Sequence, residues 1–408
     1  MKLHNKILIS IVLSTFAGLI SREFGFADFF IKKTAFIGTL FLNALKMIVI
    51  PLIATSIISG IVGIKQSSEL KRLGFKTAGY YALTSLLAII TGCILVNIIK
   101  PGTRSGFTME SSSLNLSGDL SQISKTLMNI IPTNIFDALS NGNMLSIIMF
   151  SLLFGFFIKK TTTNHQESIS TFFNAVFETM QKMTDFIIKF TPYGVFSLIA
   201  KVVAETGSES FSSLGLFAFT VFLALFIHAF ITLPALLKII DSRISPIKHF
   251  KAMQTALLTA FSTASSSATL PLTMECAEKK AGVSNKTTSF VIPLGATINM
   301  DGTALYECVA TIFIAQIYGI HLGMSAQLTI ILTALLVSIG AAGIPMAGLV
   351  MMSIILNAVG LPLEGIGLIL AVDRVLDMLR TTTNIWSDSC GTAIIAATEN
   401  EKELKILN

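Results

Sequence analysis

Charged side chains are scarce in this chain. Asp, Glu, Lys and Arg make up 13% of its 408 residues, whereas 52% are hydrophobic. An ordinary soluble domain has about 25% charged residues. Together with a mean hydropathy of +0.76, this composition excludes an ordinary soluble globule and predicts an integral membrane protein.

Other residue types and patterns are also rare, and each absence argues against one class of site or protein. The four cysteines and five histidines are scattered without metal-like spacing, so the cysteines are interpreted as small packing residues. Strand-like alternation is absent, which disfavours a membrane barrel. No basic cluster with interleaved aromatics occurs, so the net charge of +6 predicts basic cytoplasmic loops and no nucleic-acid partner.

Long apolar runs are present, several near the ~20 residues that span a bilayer as a helix. The predicted helices lie near 5–22, 35–63, 76–99, 125–160, 168–204 and 211–240. Pro51 predicts a kink in the second helix, and Pro132 and Asn141 predict breaks in the fourth. The first helix is interpreted as retained, because no small-residue cleavage site follows it. The basic segment 65–76 is expected to be a cytoplasmic loop and the Ser/Gly-rich segment 101–122 an external one.

After Pro246 the pattern changes to a unit that occurs twice. Apolar segments near 250–261 and 326–337 run into STASSSATLPLT and SIGAAGIPMAG before they could span a bilayer. A return segment and a polar-striped helix follow each of them. Paired interrupted segments predict the midplane site of a secondary transporter. The alternative, that the small residues only permit close helix packing, does not explain two matched tips.

The last helix carries a polar stripe in an apolar setting. At ~3.6 residues per turn, six polar side chains fall within an arc of about 100°. They are Asp373, Asp377, Arg380, Thr381, Asn384 and Asp388. Ionisable groups within a membrane usually face a partner, a cavity or a pathway. A self-neutralised structural network, with Arg374 and Arg380 pairing the acids, is the alternative.

The sequence NMDGT at 299–303 predicts a local unwinding within another apolar span. Unwound backbone at membrane depth persists where it is buried or lines a cavity. Freed carbonyls, Asn299 and Asp301 supply hard oxygen ligands that suit an alkali cation. Asn384 and Asp388 supply the same chemistry from the last helix.

Three ionisable groups suggest an acidic amino acid substrate and a proton-carrying residue. Arg380 can grip a carboxylate with two donors, and Asp377, one turn away, can accept from an ammonium. That pair describes an amino acid with an acidic side chain; an Arg380–Asp377 salt bridge is the alternative, and both can hold before substrate binds. Glu307 lies about two turns beyond Asn299, where burial favours a neutral, proton-carrying carboxyl. A paired or snorkelling Glu307 is the alternative.

These motifs carry a family resemblance. STASSSATLP, PLGATINMDGTALYE, SIGAAGIPMAG and DRVLDMLRTTTN together resemble the glutamate/aspartate:cation symporters (dicarboxylate/amino acid:cation symporters), and LKMIVIPL and YYALTS extend the likeness over most of the chain. The resemblance implies an all-α integral membrane protein with eight transmembrane helices and two re-entrant hairpins, an inverted-repeat elevator transporter, and a homotrimer. Residues 1–75 and 101–205 would form the scaffold, 76–100 and 206–400 the transport domain, and 401–408 a cytoplasmic tail.

The resemblance also implies roles for individual residues. Substrate would meet Ser265, Ser266, Thr303, Gly343, Asp377, Arg380, Thr381 and Asn384. A first sodium site would use Gly295, Asn299, Asn384 and Asp388. A second would use Tyr81, Thr84, Ser85, Asn299 and Asp301. A third would use carbonyls near Thr297, Ser338, Ile339 and Ala341. Glu307 matches the glutamate of proton-coupled animal members.

Three positions depart from the family pattern. Many members carry an accessory Arg just before the first tip or just after the Asp of the last helix, where this chain has Ala264 and Met378. Arg374, one turn earlier, could substitute. Ser387 stands where Gly is common. These departures bear on gating and coupling rather than on the fold.

The residues and the resemblance together predict a symporter and not an enzyme. It would import glutamate or aspartate across the plasma membrane (the bacterial inner membrane) by alternating access, coupled to sodium, protons or both, with no other cofactor. A proton-coupled C4-dicarboxylate or neutral amino acid symporter is the alternative, although such carriers lack the counterpart of Asp377 or of Arg380. Glutamate and aspartate differ by one methylene, which a pocket discriminates weakly.

Two other protein classes fit the sequence less well. An intramembrane protease would need a Ser/His pair or two catalytic Asp, and no His lies near the serine tip in the sequence. A pure ion channel would not need donors arranged for an amino acid. Saturable, substrate-driven currents would separate transport from both.

Overall fold

The computed structural model describes residues 3–62, 68–103, 131–141, 144–206, 209–340, 347–401 and 403–407. Helices α1 to α7 are Leu3–Glu23, Ala27–Val62, Ser68–Ile99, Ile135–Asn141, Met144–Ile158, Thr163–Ile188 and Thr191–Thr206. Helices α8 to α16 are Glu209–Ile227, Leu233–Ile240, Pro246–Thr263, Ser266–Glu275, Asn285–Ile298, Asp301–Ile317, Met324–Gly340, Ala347–Ala358 and Ile366–Thr398. No strand occurs in these ranges, so the all-α prediction is confirmed there.

Length and composition identify two membrane-spanning candidates within the described ranges. They are Arg72–Ile99, in α3, and Ser212–Ile240, which covers α8 and α9. Their hydropathies of 2.3 and 2.4 reflect the apolar runs noted in the sequence.

The helices pack into two groups. Helices α1, α2, α5, α6 and α7 contact one another, chiefly through α2 and α7. Helices α3 and α8 to α16 gather around α13 and α16, which also contact each other. Helix α13 is the centre of this second group, because its side chains are buried from Asp301 to Ala315. The stacked rings of Phe217 and Phe313, 4.5 Å apart, join α8 to it.

Proline determines where two of the predicted helices are interrupted. The prediction of a single helix at 168–204 is wrong, because α6 ends at Ile188 and α7 begins at Thr191. Pro192 has no N–H, and its ring clashes with the carbonyl four residues earlier, which is that of Ile188. The helix predicted at 211–240 contains a π-helical turn at His228–Thr232, just before Pro234.

The π-helical turn leaves one carbonyl free for a distant side chain. The N–H of Leu233 donates to the carbonyl of His228 instead of that of Ala229, and Pro234 has no N–H to give. The Ala229 carbonyl therefore accepts from Trp386 Nε1 at 2.8 Å. This bond ties the junction of α8 and α9 to α16.

The two interrupted units contain the predicted short helices. In the first, α10 ends at Thr263 and Ala264 takes a left-handed conformation with φ +48°. Ser265 then caps α11 by accepting from the N–H of Ala268 at 3.2 Å. In the second, α14 and α15 flank 341–346, so the predicted second tip lies outside the described residues.

The basic segment 65–76 was expected to be a loop, but it is helical from Ser68 onward. Glu, Leu, Lys and Arg are strong helix formers, so α3 extends into it by about two turns. Lys76 Nζ lies 2.6 Å from Glu399 Oε1, and Arg72 pairs with the other carboxylate oxygen. These contacts fix the start of α3 against the residue that follows α16.

The Glu399 contacts make stability depend on pH. Hydrogen bonds from Lys76 and Arg72 lower the pKa of the Glu399 carboxyl below its ordinary 4.5, so their contribution is present above that value and is lost as the pH falls through the lowered one. Glu399→Gln is expected to lower the free energy of unfolding by about 1 kcal/mol at neutral pH. Thermal unfolding of purified protein measures the difference, which should shrink on acidification. The exposed Glu364 provides a control, Glu364→Gln, that should match wild type; a pH-independent Glu399→Gln deficit would contradict this account.

Candidate cation and substrate site

The polar centre of the second helix group begins at a break between α12 and α13. Asn299 (φ −109°, ψ 92°) and Met300 (φ −120°, ψ 56°) are not helical, as the NMDGT sequence predicted. Asn299 N still donates to the carbonyl of Gly295 at 2.8 Å. The break lies between α3 and α16, both of which contact these two helices.

Asp301, the first residue of α13, is fully buried and accepts four hydrogen bonds. Its Oδ1 accepts from Ser85 Oγ at 2.6 Å and from Thr84 Oγ1 at 3.3 Å, both on α3. Its Oδ2 accepts from Ser387 Oγ at 2.6 Å, on α16, and from His228 Nε2 at 3.1 Å. One carboxylate therefore connects three elements of the second helix group.

His228 is the residue that sequence reasoning missed here. Its side chain has no exposed surface, and the π-helical turn brings it to Asp301. A titratable residue inside an apolar span, six positions before Pro234, is the signal that could have identified it. Ser387, noted only as a departure from the family pattern, also has a definite position because it bonds Asp301.

Asn299 links this carboxylate to a second one. Its Nδ2 donates to Asp388 Oδ1 at 2.8 Å and to Ser387 Oγ at 3.1 Å. Among the described residues, no partner satisfies its buried Oδ1. A buried acceptor of this kind is costly unless something donates to it or a cation binds it. The oxygen atoms around Asn299 therefore fit a hard cation.

Gly295 allows the two helices to come this close. A Cβ atom there would lie 2.4 Å from Asp388 Oδ1 and 2.4 Å from the Tyr81 hydroxyl. The Tyr81 hydroxyl donates to the carbonyl of Val291 at 2.9 Å. Four of the residues assigned to the first two sodium sites, namely Tyr81, Gly295, Asn299 and Asp388, thus lie side by side.

The start of α13 is held tightly against α16. Gly302 N donates to Asn384 Oδ1 at 2.8 Å, and Asn384 Nδ2 donates to Thr303 Oγ1 at 3.2 Å. A Cβ on Gly302 would lie 2.7 Å from the Arg380 carbonyl oxygen. This close approach places the residues expected to bind cations beside the residues expected to bind substrate.

Arg380 is the centre of a buried charged cluster. Its side chain is 3% exposed, and Nη2 lies 2.8 Å from Asp377 Oδ1 and 3.2 Å from Asp373 Oδ1. The guanidinium carbon lies 4.0 Å from the centroid of the Tyr306 ring, whose hydroxyl donates to Asp373 at 2.8 Å. Arg374 adds a longer contact, 3.6 Å, to Asp377. The predicted salt bridge is therefore present, and Asp373 joins it, as in the alternative network of paired acids. Tyr306 also joins it, although sequence reasoning gave this residue no part in the site.

Part of this cluster is left without partners. Arg380 Nε and Nη1 are buried and have no hydrogen-bond acceptor in the part of the chain that the structure describes. A Cβ on Gly348 would lie 2.7 Å from Nη1, so α15 covers the guanidinium. Asp377 remains 34% exposed. The two unpartnered Arg380 donors can bind a carboxylate, and the accessible Asp377 carboxylate beside them can bind an ammonium.

Glu307 lies on α13, next to Tyr306, and is completely buried. Neither of its carboxyl oxygens has a hydrogen-bond partner within the described ranges. The charged groups whose fields act on it are Arg380 and Asp373. A carboxyl with no donor in an apolar setting is more stable neutral than charged.

The residues predicted for the third sodium site and for the two tips have fewer contacts with the polar centre described above. Thr297 is exposed and Ser338 buried, and each hydroxyl bonds a carbonyl of its own helix, although α12 and α14 do contact each other. The Ile339 side chain, Ala341 and Gly343 are outside the described part of the chain. At the first tip, Ser265 and Ser266 are half-buried on α11, which packs against α16. Thr381 is buried on α16.

Buried oxygens around a helix break, next to a buried Arg–Asp pair, are the features expected of a cation-coupled membrane transporter. The profile of the Sodium:dicarboxylate symporter family matches residues 3–398. The chain is 36% identical to excitatory amino acid transporter 3 of Oryctolagus cuniculus, over 98% of this chain and 85% of that protein. It is 34% identical to the proton/glutamate-aspartate symporter of Escherichia coli (strain K12), over 90% and 86% of the two chains. It is 36% identical to the proton/sodium-glutamate symport protein of Geobacillus stearothermophilus, over 90% of this chain and 87% of that protein.

The chain belongs to the sodium:dicarboxylate symporter family, and it is therefore a multi-pass membrane transporter. The family resemblance identified from the sequence motifs is confirmed.

The close approach at Gly302 can be tested by adding one methyl group. The atom nearest to the added methyl would be the backbone oxygen of Arg380, 2.7 Å away. A backbone atom cannot rotate away as a side chain can, so α13 or α16 would have to shift. Gly302→Ala is expected to destabilise the protein by roughly 1–3 kcal/mol. Gly215→Ala on α8, with nothing within 4 Å, is the matched control and should be neutral or slightly stabilising. Thermal unfolding in detergent measures both; equal effects of the two substitutions would contradict the packing described.

Proposed function

We propose that this protein is a secondary active symporter that imports acidic amino acids, glutamate or aspartate, with sodium ions, protons or both. The observation that carries the proposal is the pair of unpartnered donors on Arg380 beside the partly exposed carboxylate of Asp377. The relatives named as glutamate and aspartate symporters support the same substrate class. A C4-dicarboxylate or neutral amino acid symporter is the second candidate. A C4-dicarboxylate would use only the charge of Arg380, and a neutral amino acid only that of Asp377.

In this proposal each substrate group has a partner. The side-chain carboxylate pairs with Arg380 through Nε and Nη1, and the ammonium pairs with Asp377. Thr303 on α13, together with Thr381 and Asn384 on α16, would bond the remaining polar atoms. Ser265, Ser266 and Gly343 cover the substrate from the two tips.

The coupling cations would bind around the break at Asn299 and Met300. Asp388, Asn299, Gly295 and Asn384 supply the first site. Asp301 supplies the second with Thr84, Ser85 and Tyr81. Carbonyls near Thr297, Ser338, Ile339 and Ala341 supply the third.

Alternating access would use the two helix groups. The group around α13 and α16, residues 76–100 and 206–400, would move as a transport domain against a scaffold of 1–75 and 101–205. Eight spans and two re-entrant hairpins, α10–α11 and α14–α15, would form each protomer of a homotrimer in the bacterial inner membrane, with 401–408 as a cytoplasmic tail. Helix α7 contacts α16, and α2 contacts α14, so these pairs would be the sliding surfaces.

Arg380 is proposed to determine acidic-substrate specificity. Removing a buried, hydrogen-bonded charge costs about 2–5 kcal/mol, so Arg380→Cys should lower aspartate and glutamate uptake at least ~30-fold and can admit neutral amino acids. Arg374→Cys is the matched control, because its guanidinium is 35% exposed and makes only a 3.6 Å contact; it should lose much less. Radiolabelled uptake into proteoliposomes measures both. Unchanged aspartate affinity in Arg380→Cys would remove the basis of the assignment.

Glu307 is proposed to carry a proton during the cycle. Its carboxyl has no donor among the described residues, while the charges of Arg380 and Asp373 act on it, so a movement that changes those fields would load or release a proton. Glu307→Gln keeps the shape and fixes the neutral form. Net uptake, which requires the empty carrier to return, is expected to fall at least ~10-fold, the equivalent of about 1.4 kcal/mol.

Exchange of internal for external substrate in Glu307→Gln should persist, because it requires only the loaded carrier. Parallel measurements of net uptake and exchange therefore separate a coupling defect from misfolding. Normal pH-dependent net uptake by this variant would show that the carboxyl is structural.

A further inference from the structure

The segment that follows α16 returns to the base of α10 and α11, the two arms that meet at the first tip. In residues 403–407 the side chains alternate, because Leu404 and Ile406 are buried and the residue before each of them is exposed. Both buried side chains belong to the same apolar cluster as Ile244, which lies just before α10. Leu407 pairs with Ile244 in an antiparallel bridge. Apolar burial therefore holds this segment against the base of the two arms.

Neighbouring residues of the segment bond to opposite arms. The Ile406 carbonyl accepts from the N–H of Ser245, at the start of α10, at 2.8 Å. The N–H of Lys405 donates to the carbonyl of Ala281, just after the π-helical continuation of α11, at 2.9 Å. Lys405 Nζ also donates to the carbonyl of Lys279 at 2.9 Å, and carbonyls at a helix end lack intrahelical partners. Two adjacent residues thus fix the separation between the bases of the two arms.

The start of the same segment is fixed to α12. Glu401 Oε1 accepts from the hydroxyls of Ser284 and Thr287, both at 2.5 Å, and its Oε2 accepts from the N–H of Ser284 at 2.8 Å. A carboxylate is favourable at a helix N-terminus, where N–H groups lack partners. Gly282, in the turn between α11 and α12, has φ +78°, and a Cβ there would collide with the carbonyl oxygen of Glu403. The segment and this turn are therefore in direct backbone contact.

The tip lies at the far end of the arms from this segment. Helix α10 has 18 residues and is therefore about 27 Å long. Over that length, a tilt of about 5° at the base displaces the tip by about 2 Å. The positions of Ser265 and Ser266 thus depend on how the base of the arms is held.

We propose that residues 403–407 form a clasp that positions the serine tip and thereby raises the affinity for substrate. The clasp does not touch the substrate, and its residues act through Ser265 and Ser266. When the clasp is released, the tip is in place in fewer molecules, and the apparent affinity falls by that fraction. The effect on affinity rests on the proposed function; the mechanical link between clasp and tip does not.

Hydrogen exchange of the purified full-length protein, followed by mass spectrometry, tests the mechanical link. In wild type the amides of Ser245 and Lys405 should exchange slowly, because both are hydrogen-bonded. Ile406→Ala should accelerate exchange at least ~10-fold in peptides that contain these amides and in the tip peptide 260–270. Ile406→Val, which keeps most of the buried side chain, and Glu403→Gln, which changes an exposed one, are the matched controls and should resemble wild type.

Two results of the exchange measurement would overturn the proposal. One is fast exchange of Ser245 and Lys405 in wild type, which requires no variant to fold. The other is an Ile406→Ala protein whose base exchanges faster while its tip is unchanged.

Uptake into proteoliposomes tests the effect on affinity. Ile406→Ala should raise the KM for aspartate at least ~5-fold with little change in the maximal rate, whereas Ile406→Val and Glu403→Gln should keep the wild-type KM. A lower maximal rate at an unchanged KM would show that the segment only stabilises the fold, against the proposal. If wild type takes up no acidic amino acid, the proposed function fails, while hydrogen exchange still decides whether the clasp holds the tip.

Discussion

A carboxylate buried away from water must be satisfied by donors or by a cation, and this constraint organises the second helix group. An unpaired charge in an apolar interior is prohibitively costly. Asp301 meets the constraint with four donors from three elements: α3, the π-helical turn before α9, and α16. The elements that form the proposed transport domain are therefore held together at the point where a cation would bind.

Three of the residues whose buried polar atoms lack partners lie where a ligand is proposed to act. Asp301 is fully hydrogen-bonded, whereas the Asn299 Oδ1, two Arg380 nitrogens and both Glu307 oxygens have no partner among the described residues. Native proteins leave few such atoms, because each costs about 1–3 kcal/mol. The three residues are the ones proposed to contact the cation, the substrate carboxylate and the proton. Satisfied groups such as Asp301 thus build the framework, and these three unsatisfied residues are the ones proposed to act in transport.

The sequence predicted the features that depend on local chemistry. NMDGT predicted the helix break, because Asp, Asn and Gly within an apolar span favour unwinding, and the stripe from Asp373 to Asp388 predicted the polar face of α16. Long-range features were not predictable from one chain. The contact of His228 with Asp301 needs the π-helical turn, and the Tyr306 ring beside Arg380 depends on how α13 packs against α16. The predicted loop at 65–76 failed because charge was taken as a sign of a loop in a segment rich in helix formers.

The central claim is that the oxygens gathered by the Asn299–Met300 break bind sodium and thereby strengthen substrate binding. Binding linkage is reciprocal, so sodium must raise substrate affinity by the factor that substrate raises sodium affinity. Calorimetric titration of aspartate into the purified protein, in sodium chloride and in choline chloride at the same pH and ionic strength, measures that factor. The account predicts a lower Kd in sodium and a much weaker sodium effect in Asp388→Asn. The same Kd in both salts for wild type would contradict it.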